Sequence, residues 1–132
     1  MTDTPAPTIW PALAYADAPA AIRFLVEAFG FVETLVVPGE DVREIAHAEL
    51  RWPEGGGVML GSASDGKEAE PRKPGSACIY VVTNAPDALF DQATAAGAEV
   101  VRGLKDEDYG SRGFTVRDPE GNSWSFGTYR GT

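Results

Sequence analysis

The sequence contains two copies of one pattern, and an internal repeat constrains a fold more strongly than any single motif does. The segment "DAPAAIRFLVEAFG" (Asp17–Gly30) aligns without a gap with "NAPDALFDQATAAG" (Asn84–Gly97). Both copies open with Asp or Asn followed by Ala-Pro, and both close with glycine. An Asx N-cap, a proline in the first turn and a glycine after the last turn are typical of an α-helix. We therefore predict one helix in each half, with Asp17 and Asn84 as the N-caps.

A second pair of matching segments follows the helices. "WPEGGGVMLG" (Trp52–Gly61) aligns with "DPEGNSWSFG" (Asp118–Gly127), again without a gap. In both copies a Pro-Glu-Gly turn leads into a strand of alternating apolar residues, as in a β-hairpin. Strand-like segments also precede and follow each helix, so each half is predicted to be β-α-β-β-β. The predicted boundaries are a single domain of residues 1–132, with module one at about 8–61, a polar Gly- and Pro-rich linker at 62–76, and module two at about 77–129.

The charge balance and the cysteine content narrow the class of protein. A formal net charge of −9 repels phosphate backbones and anionic lipids, so we expect neither a nucleic-acid partner nor a membrane partner. No apolar run approaches the ~20 residues that span a bilayer. The first residues lack the basic and apolar segments of a secretory signal. Cys78 is the only cysteine, which excludes an intrachain disulfide, and we expect a cytoplasmic protein.

The repeat and its motifs resemble the glyoxalase / bleomycin-resistance / extradiol-dioxygenase superfamily, also called vicinal oxygen chelate proteins. The resemblance extends from about Ile9 to Tyr129 and rests on "YADAPAAIRFLVEAFGF", "HAELRWPEGGGVML" and "DYGSRGFTVRDPEGNSWSFGTY". It implies an α+β fold in which two βαβββ modules form a curled mixed sheet cup, with the helices packed on the outer face. It also implies a homodimer. The sequence leaves open whether each cup is built within one chain or across the dimer.

The same resemblance allows a test for a metal site. In the metal-dependent members, His and Glu side chains on the first and last strands of the modules bind a divalent metal. The matching positions in this chain are Trp10 and Ala77 on the first strands, and Met59 and Ser125 on the last strands. None of these side chains is a usual ligand for a divalent metal of this kind. We therefore expect no metal and no other cofactor.

Strand alternation predicts which side chains line the cup. The residues expected to face the cup are Trp10, Ala12, Met59, Ala77, Ile79, Val81, Ser123 and Ser125. The residues expected in the core are Leu13, Tyr15, Val58, Leu60, Cys78, Tyr80, Val82, Trp124 and Phe126. A mostly apolar lining with one large indole suits an apolar or aromatic guest. A slip of one residue in any strand would exchange the two sets.

A few polar residues remain as candidates for chemistry. His47 and Glu49 are two residues apart on "IAHAEL" and share the cup side with Arg51. They are either a general base with an orienting carboxylate, two ligands of a metal, or a solvated pair that contacts a guest. Tyr109 and Arg112 lie in the loop "KDEDYGSRG". They either reach over the cup and bind an aromatic carboxylate, or Arg112 pairs with the acids beside it.

The function that these observations favour is sequestration or carriage of an apolar or aromatic small molecule, which needs no catalytic residue. The predicted ligand contacts are Trp10, His47, Glu49, Met59, Ile79, Tyr109, Arg112 and Ser125. One alternative is a lyase, isomerase or dioxygenase of the same superfamily that uses His47 and Glu49 in an unconventional metal site. Another is an accessory binding subunit whose cup is filled by its own side chains. No catalytic nucleophile with a base is evident in the sequence.

Overall fold

The computed structural model describes residues 7–63 and 74–131, so most of the predicted linker at 62–76 lies outside the described residues. The strands of the first module are β1 (Ala12–Tyr15), β2 (Val32–Pro38), β3 (Ile45–Arg51) and β4 (Gly57–Ser62). Those of the second module are β5 (Cys78–Val82), β6 (Glu99–Asp106), β7 (Arg112–Arg117) and β8 (Ser123–Gly127). The helices are α1 (Ala18–Phe24), which continues in a π-helical turn (Leu25–Phe29), and α2 (Pro86–Ala95).

Each module forms its own four-stranded mixed sheet. The strand order is β1-β4-β3-β2 in the first sheet and β5-β8-β7-β6 in the second, with the first strand of each module parallel to its neighbour. In the described part of the chain, no strand pair joins the two sheets, so neither sheet closes into a barrel. The α+β class and the two βαβββ modules are thus confirmed, and the open sheets are consistent with a curled cup. No helix in the described ranges is long and apolar enough to cross a membrane.

The predicted N-cap and the predicted closing glycine of the helix are both confirmed in the first module, whereas the predicted N-cap is wrong in the second. Asp17 is the N-cap of α1, and its side chain accepts a hydrogen bond from Ala20 N at 3.1 Å. Gly30 ends the helical segment in the left-handed conformation, with φ of +89°, which favours glycine. The prediction of Asn84 as the second N-cap is wrong, because α2 begins one residue later and Ala85 occupies that position. Asn84 instead accepts a hydrogen bond from the Arg130 guanidinium.

Both modules contribute to one hydrophobic core, in which aromatic rings cross from one half to the other. Phe29, in the π-helical turn of the first module, lies 5.3 Å from Trp124 and 4.8 Å from Phe126 between ring centres. Trp52, at the end of β3, lies 5.8 Å from Phe126. Ring pairs at these distances add stabilisation beyond the burial of apolar area. These ring contacts join the two halves into one packed unit. Within the halves, α1 packs against β1 and β4, and α2 packs against β6 and β7.

The predicted sides of the strands are confirmed on β1, β4 and β8 and are wrong on β5. Val81 is buried in the core, whereas Cys78 and Tyr80 are exposed. Ile79 and Ala77, predicted to face the cup, pack against the core instead. The cause lies within the first helical segment. The N-caps Asp17 and Ala85 are 68 residues apart, whereas the left-handed glycines Gly30 and Gly97 are 67 apart, so the segment with the π-helical turn holds one additional residue. The gap-free helix alignment hides this residue and therefore places β5 one residue out of register, which exchanges its two faces.

Candidate functional site

The side of each sheet that faces away from the helices is called here its open face. On the open face of the first sheet, His47 and Glu49 stand two residues apart on β3, and a hydrogen bond of 2.8 Å joins His47 Nε2 and Glu49 Oε2. Met59 on β4 pairs with Glu49 across the sheet. All three residues are half-buried. The fold thus brings three of the predicted ligand contacts onto one surface.

Trp10 lies just before β1, and its indole rests against Gly57 at the start of β4. A Cβ atom at Gly57 would come within 2.8 Å of Trp10 Cζ3, so the missing side chain makes room for the ring. The Trp10 Nε1 group donates a hydrogen bond to Pro7 O at 3.2 Å. The guanidinium carbon of Arg51 lies 5.7 Å from the centre of the indole, within cation–π range. These contacts fix the indole as a half-buried platform.

The open face of the second sheet has a matching arrangement. Tyr80 pairs with Ser125 and lies over Gly127, where a Cβ atom would come within 2.8 Å of the Tyr80 hydroxyl oxygen. The Tyr80 hydroxyl donates a hydrogen bond to Tyr129 O at 2.6 Å. Burial raises the pKa of Tyr80 above its usual value, so the hydroxyl remains protonated at neutral pH. Ser125 Oγ lies 2.8 Å from Thr115 Oγ1.

A cavity of about 200 Å³ lies beside this second open face. Tyr109 at its edge is 65% exposed, and its ring centre lies 5.8 Å from that of Tyr129. Arg102 and Glu107 form an ion pair in the wall, with 2.8 Å between Nη2 and Oε1. The polar and aromatic wall residues are Tyr80, Arg102, Glu107, Tyr109, Ser111, Phe114, Ser125 and Phe126. This cavity therefore offers hydroxyl groups and ring edges to a guest, rather than a cluster of acids.

A larger cleft of about 360 Å³ lies between the two modules. Its apolar wall includes Ile9, Ile79 and Val81, and the β3–β4 hairpin forms another side. The charged groups in its lining are Glu54 and Arg130, which lie 3.9 Å apart. Ile79, predicted as a ligand contact, thus lines the cleft from the core side of β5.

Arg112 does not lie with the other predicted contacts. Its Nε donates a hydrogen bond to Asp87 Oδ1 at 2.8 Å, and its Nη1 lies 3.2 Å from Asp106 Oδ2. Asp87 belongs to the first turn of α2. The hydrogen bonds to the two carboxylates raise the pKa of Arg112 further above its ordinary value. Of the two predicted roles for Arg112, pairing with acids is the one that the geometry supports.

The residues at the four superfamily metal positions do not fit a divalent metal. Met59 and Ser125 are equivalent positions of the two copies, and they pair with Ala12 and Tyr80, respectively. Ala12 and Tyr80 are therefore equivalent, and the β5 counterpart of Trp10, two residues earlier, is Cys78 rather than Ala77. The corrected set is an indole, a thioether, a single thiol and a hydroxyl, which lacks the imidazole and carboxylate ligands of the metal-dependent members. Across the described residues, no three His, Cys, Asp or Glu side chains are grouped so that they could hold a metal ion.

Two residues of these surfaces were not among the predicted ligand contacts. Arg51 was placed on the cup side by strand alternation, but its contact with Trp10 joins residues that are distant in sequence. Tyr80 was assigned to the core because the gap-free helix alignment was extended unchanged into β5. The additional residue in the first helical segment, which that alignment hides, is the source of the Tyr80 error.

Two β-α-β-β-β modules, each with its first strand parallel to its last, define a paired-module α+β class of protein. Within that class, the chain belongs to the Glyoxalase/Bleomycin resistance protein/Dioxygenase superfamily, whose family model matches residues 9–126.

The relatives in this superfamily support the fold across nearly the whole chain. An uncharacterized protein of Mycobacterium tuberculosis is 40% identical over 127 residues, which cover 92% of this chain and 74% of the relative. The crystal structure of TioX from Micromonospora sp. ML1 is 34% identical, covers 90% of this chain and 95% of its own, and superposes with a TM-score of 0.74. A glyoxalase / bleomycin resistance protein from Catenulispora acidiphila, 23% identical, superposes with a TM-score of 0.65 over 90% of this chain and 95% of its own, which supports the fold alone.

Proposed function

We propose that this protein binds an apolar or aromatic small molecule without a metal, and that it sequesters or carries this molecule in the sheet cup. The observation that carries the proposal is the matched pair of ring-on-glycine platforms, Trp10 on Gly57 and Tyr80 on Gly127. Trp10 stands at one of the four positions where metal-dependent relatives place metal ligands, and Tyr80 stands beside another of these positions, Ser125. Binding and sequestration need no catalytic group, which agrees with the donor set at these positions.

The platforms have the chemistry that a planar guest requires. An indole ring offers a large apolar face and stacks on aromatic partners with little loss of side-chain entropy. Ligand sites combine such apolar surface with a small number of polar groups that fix orientation. In the first sheet these groups are His47 and Glu49, and in the second they are Ser125 and Tyr109. Met59 adds apolar contact on the open face of the first sheet, whereas Ile79 offers apolar contact only from the cleft between the modules.

The proposal includes a homodimer in the cytoplasm. Val32, Leu35 and Val37 on β2 are each more than 40% exposed, and so are Val100 and Val101 on β6. Apolar residues on the outermost strand of a sheet favour contact with another chain. Light scattering coupled to size exclusion tests this part of the proposal. A monomer at micromolar concentration would contradict it without affecting the binding proposal.

The binding test compares Trp10→Ala with Trp10→Phe. A thermal-shift screen of planar aromatic compounds identifies guests, because a ligand of the native state raises its apparent stability with concentration. Calorimetry then measures the affinity of 2-naphthamide or a stronger guest. We expect Trp10→Ala to weaken binding by about 1 kcal/mol, or roughly fivefold, and Trp10→Phe to retain most of the affinity. Unchanged affinity in Trp10→Ala would show that Trp10 does not contact the guest.

The second candidate is an enzyme, and the hydrogen bond between His47 and Glu49 is the observation that favours it. A carboxylate that orients an imidazole is a common arrangement for a general base. The purified protein, analysed for bound metal and compared with His47→Ala, distinguishes the two functions. Stoichiometric Zn, Ni, Fe or Mn that is lost in His47→Ala would favour the enzyme over the metal-free binding protein.

A further inference from the structure

The guanidinium of Arg51 is held over an aromatic ring and has no acid to neutralise it in the described residues. Ion pairs within 4.0 Å engage Arg102, Arg112, Arg117 and Arg130, whereas no described carboxylate lies that close to Arg51. Arg51 is exposed and stands on the open face of the first sheet, paired with Gly57. A protein with a net charge of −9 thus keeps an available cation on the proposed binding surface.

The nearest acid on the same strand is engaged elsewhere. Glu49 stands two residues before Arg51 on the same face, but its Oε2 is joined to His47 Nε2 at 2.8 Å. The Arg51 guanidinium lies instead 5.7 Å from the centre of the Trp10 ring. A guanidinium stacked on an indole keeps its N–H groups at the edge of the plane, where they can donate to a further acceptor.

We propose that the guest carries a carboxylate or a similar planar anionic group, and that Arg51 is the residue that selects it. This inference rests on the proposed binding function and names the ligand class. The N–H groups of Arg51 donate two parallel hydrogen bonds to the carboxylate, a geometry that guanidinium provides and an ammonium does not. The aromatic part of the guest packs against the platform of Trp10 and Arg51. Arg51 therefore distinguishes an aromatic acid from its neutral analogue.

The overall charge of the protein makes this selection testable. A net charge of −9 gives no general attraction for anions. A preference for an anionic guest over a neutral guest of the same shape must then come from a local contact.

The experiment measures binding of 2-naphthoate and 2-naphthamide by calorimetry at neutral pH. The two probes share one ring system and differ in charge. We expect the unaltered protein to bind the acid about tenfold more tightly than the amide, in line with the strength of charge-assisted hydrogen bonds. Arg51→Gln should remove this preference, and Arg51→Lys should retain only part of it. The matched control is Arg23→Gln, which removes the same charge from an exposed position on α1 and should leave the preference unchanged.

Four results would overturn the inference, and they separate it from the proposed function. Equal binding of the two probes by the unaltered protein, or a preference that survives in Arg51→Gln, contradicts selection by Arg51 but leaves binding of aromatic guests intact. A loss of affinity for both probes by the same factor in Arg51→Gln means that Arg51 only supports Trp10. If neither probe binds, the binding function proposed for the cup fails, and the inference fails with it. Circular dichroism of each variant confirms that the fold is retained.

Discussion

The two hairpins share one turn sequence, Pro-Glu-Gly, but the residue before the turn anchors them by different chemistry. In the second module this residue is Asp118, a buried carboxylate that accepts hydrogen bonds from Tyr15 Oη at 2.6 Å and Trp124 Nε1 at 3.0 Å. In the first module it is Trp52, whose Nε1 donates to Val82 O at 2.9 Å. One repeat position thus supports the same backbone with a charged acceptor in one copy and an aromatic donor in the other.

The difference changes how polar each half of the core is. Asp118 also accepts hydrogen bonds from the Asn122 side chain and from the backbone N–H groups of Glu120 and Asn122. Burial, and then the charge of Asp118, raise the pKa of Tyr15 far above its ordinary value, so Tyr15 serves as a permanent donor. A buried carboxylate is stable only when its oxygens are satisfied in this way. The second hairpin therefore depends on one residue, whereas the first relies on ring packing.

The largest expected effect comes from removing the charged anchor. Asp118→Ala should lower the free energy of unfolding by about 3 kcal/mol, because several buried donors lose their acceptor at once. Urea unfolding, followed by circular dichroism, measures the loss. The control is Asp108→Ala, an exposed acid, which should change stability by less than about 0.5 kcal/mol. Equal effects of the two substitutions would show that the comparison between the anchors is mistaken.

An intermediate effect is expected at the glutamates of the two turns. Glu120 accepts hydrogen bonds from Ala16 N at 2.7 Å and Asp17 N at 2.8 Å, just before α1. Glu54 accepts from Asn84 N at 3.0 Å, just before α2. Each turn thus binds the start of the helix in the other module.

Loss of such a contact resembles the loss of a helix cap. We expect Glu120→Ala to reduce stability by about 1–2 kcal/mol and Glu54→Ala by about half as much, since Glu120 has two backbone donors. Urea unfolding of both variants beside Glu40→Ala, an exposed glutamate, provides the measurement. A larger effect at Glu54 than at Glu120 would reverse the comparison.

The smallest expected effect concerns an ion pair described in the second module. The hydrogen bond from Arg112 lowers the pKa of the Asp87 carboxyl. Because the folded-state pKa is depressed, the stabilisation is complete above the ordinary value and is lost as the pH falls through the folded value. Arg112→Gln should thus be slightly less stable than the unaltered protein at about pH 7, and the difference should disappear near about pH 2.

Unfolding at both pH values and two salt concentrations checks this small effect. Both partners lie at the surface, so added salt should weaken the difference at neutral pH. A difference that grows as the pH falls would contradict the assigned direction.

The fold could be predicted because the residues that form the turns and end the helices of the repeat can be identified from short local stretches of sequence. Pro and Gly residues mark the turns and helix ends of both copies, and the apolar alternation places Trp124 and Phe126 in the core. The faces of β5 were predicted wrongly because the first helical segment, with its π-helical turn, holds one more residue than α2, and a gap-free helix alignment hides that residue. Local motifs define elements well, but the register of the preceding strand depends on the exact length of the helix.

The candidate site was less predictable because its contacts join distant parts of the chain. The partner of Arg112 is Asp87 on α2, twenty-five residues earlier, and no local pattern indicates that pair. The contact of Trp10 with Arg51 depends on Gly57, whose role in the hairpin suggested only a turn. Residues on one strand, such as His47 and Glu49, were grouped correctly because alternation alone places them together.

The crossed contacts of Glu54 and Glu120 have a consequence for how the two copies of the repeat can change. Each turn binds the start of a helix that belongs to the opposite copy, so a substitution in one half changes the hydrogen bonds at the helix start of the other half. The copies resemble two partners in an obligate complex that share one polypeptide. A substitution in either turn therefore requires a compensating substitution at the start of the helix in the other half. A hybrid that replaces one half with another protein's module must replace the matching helix start as well.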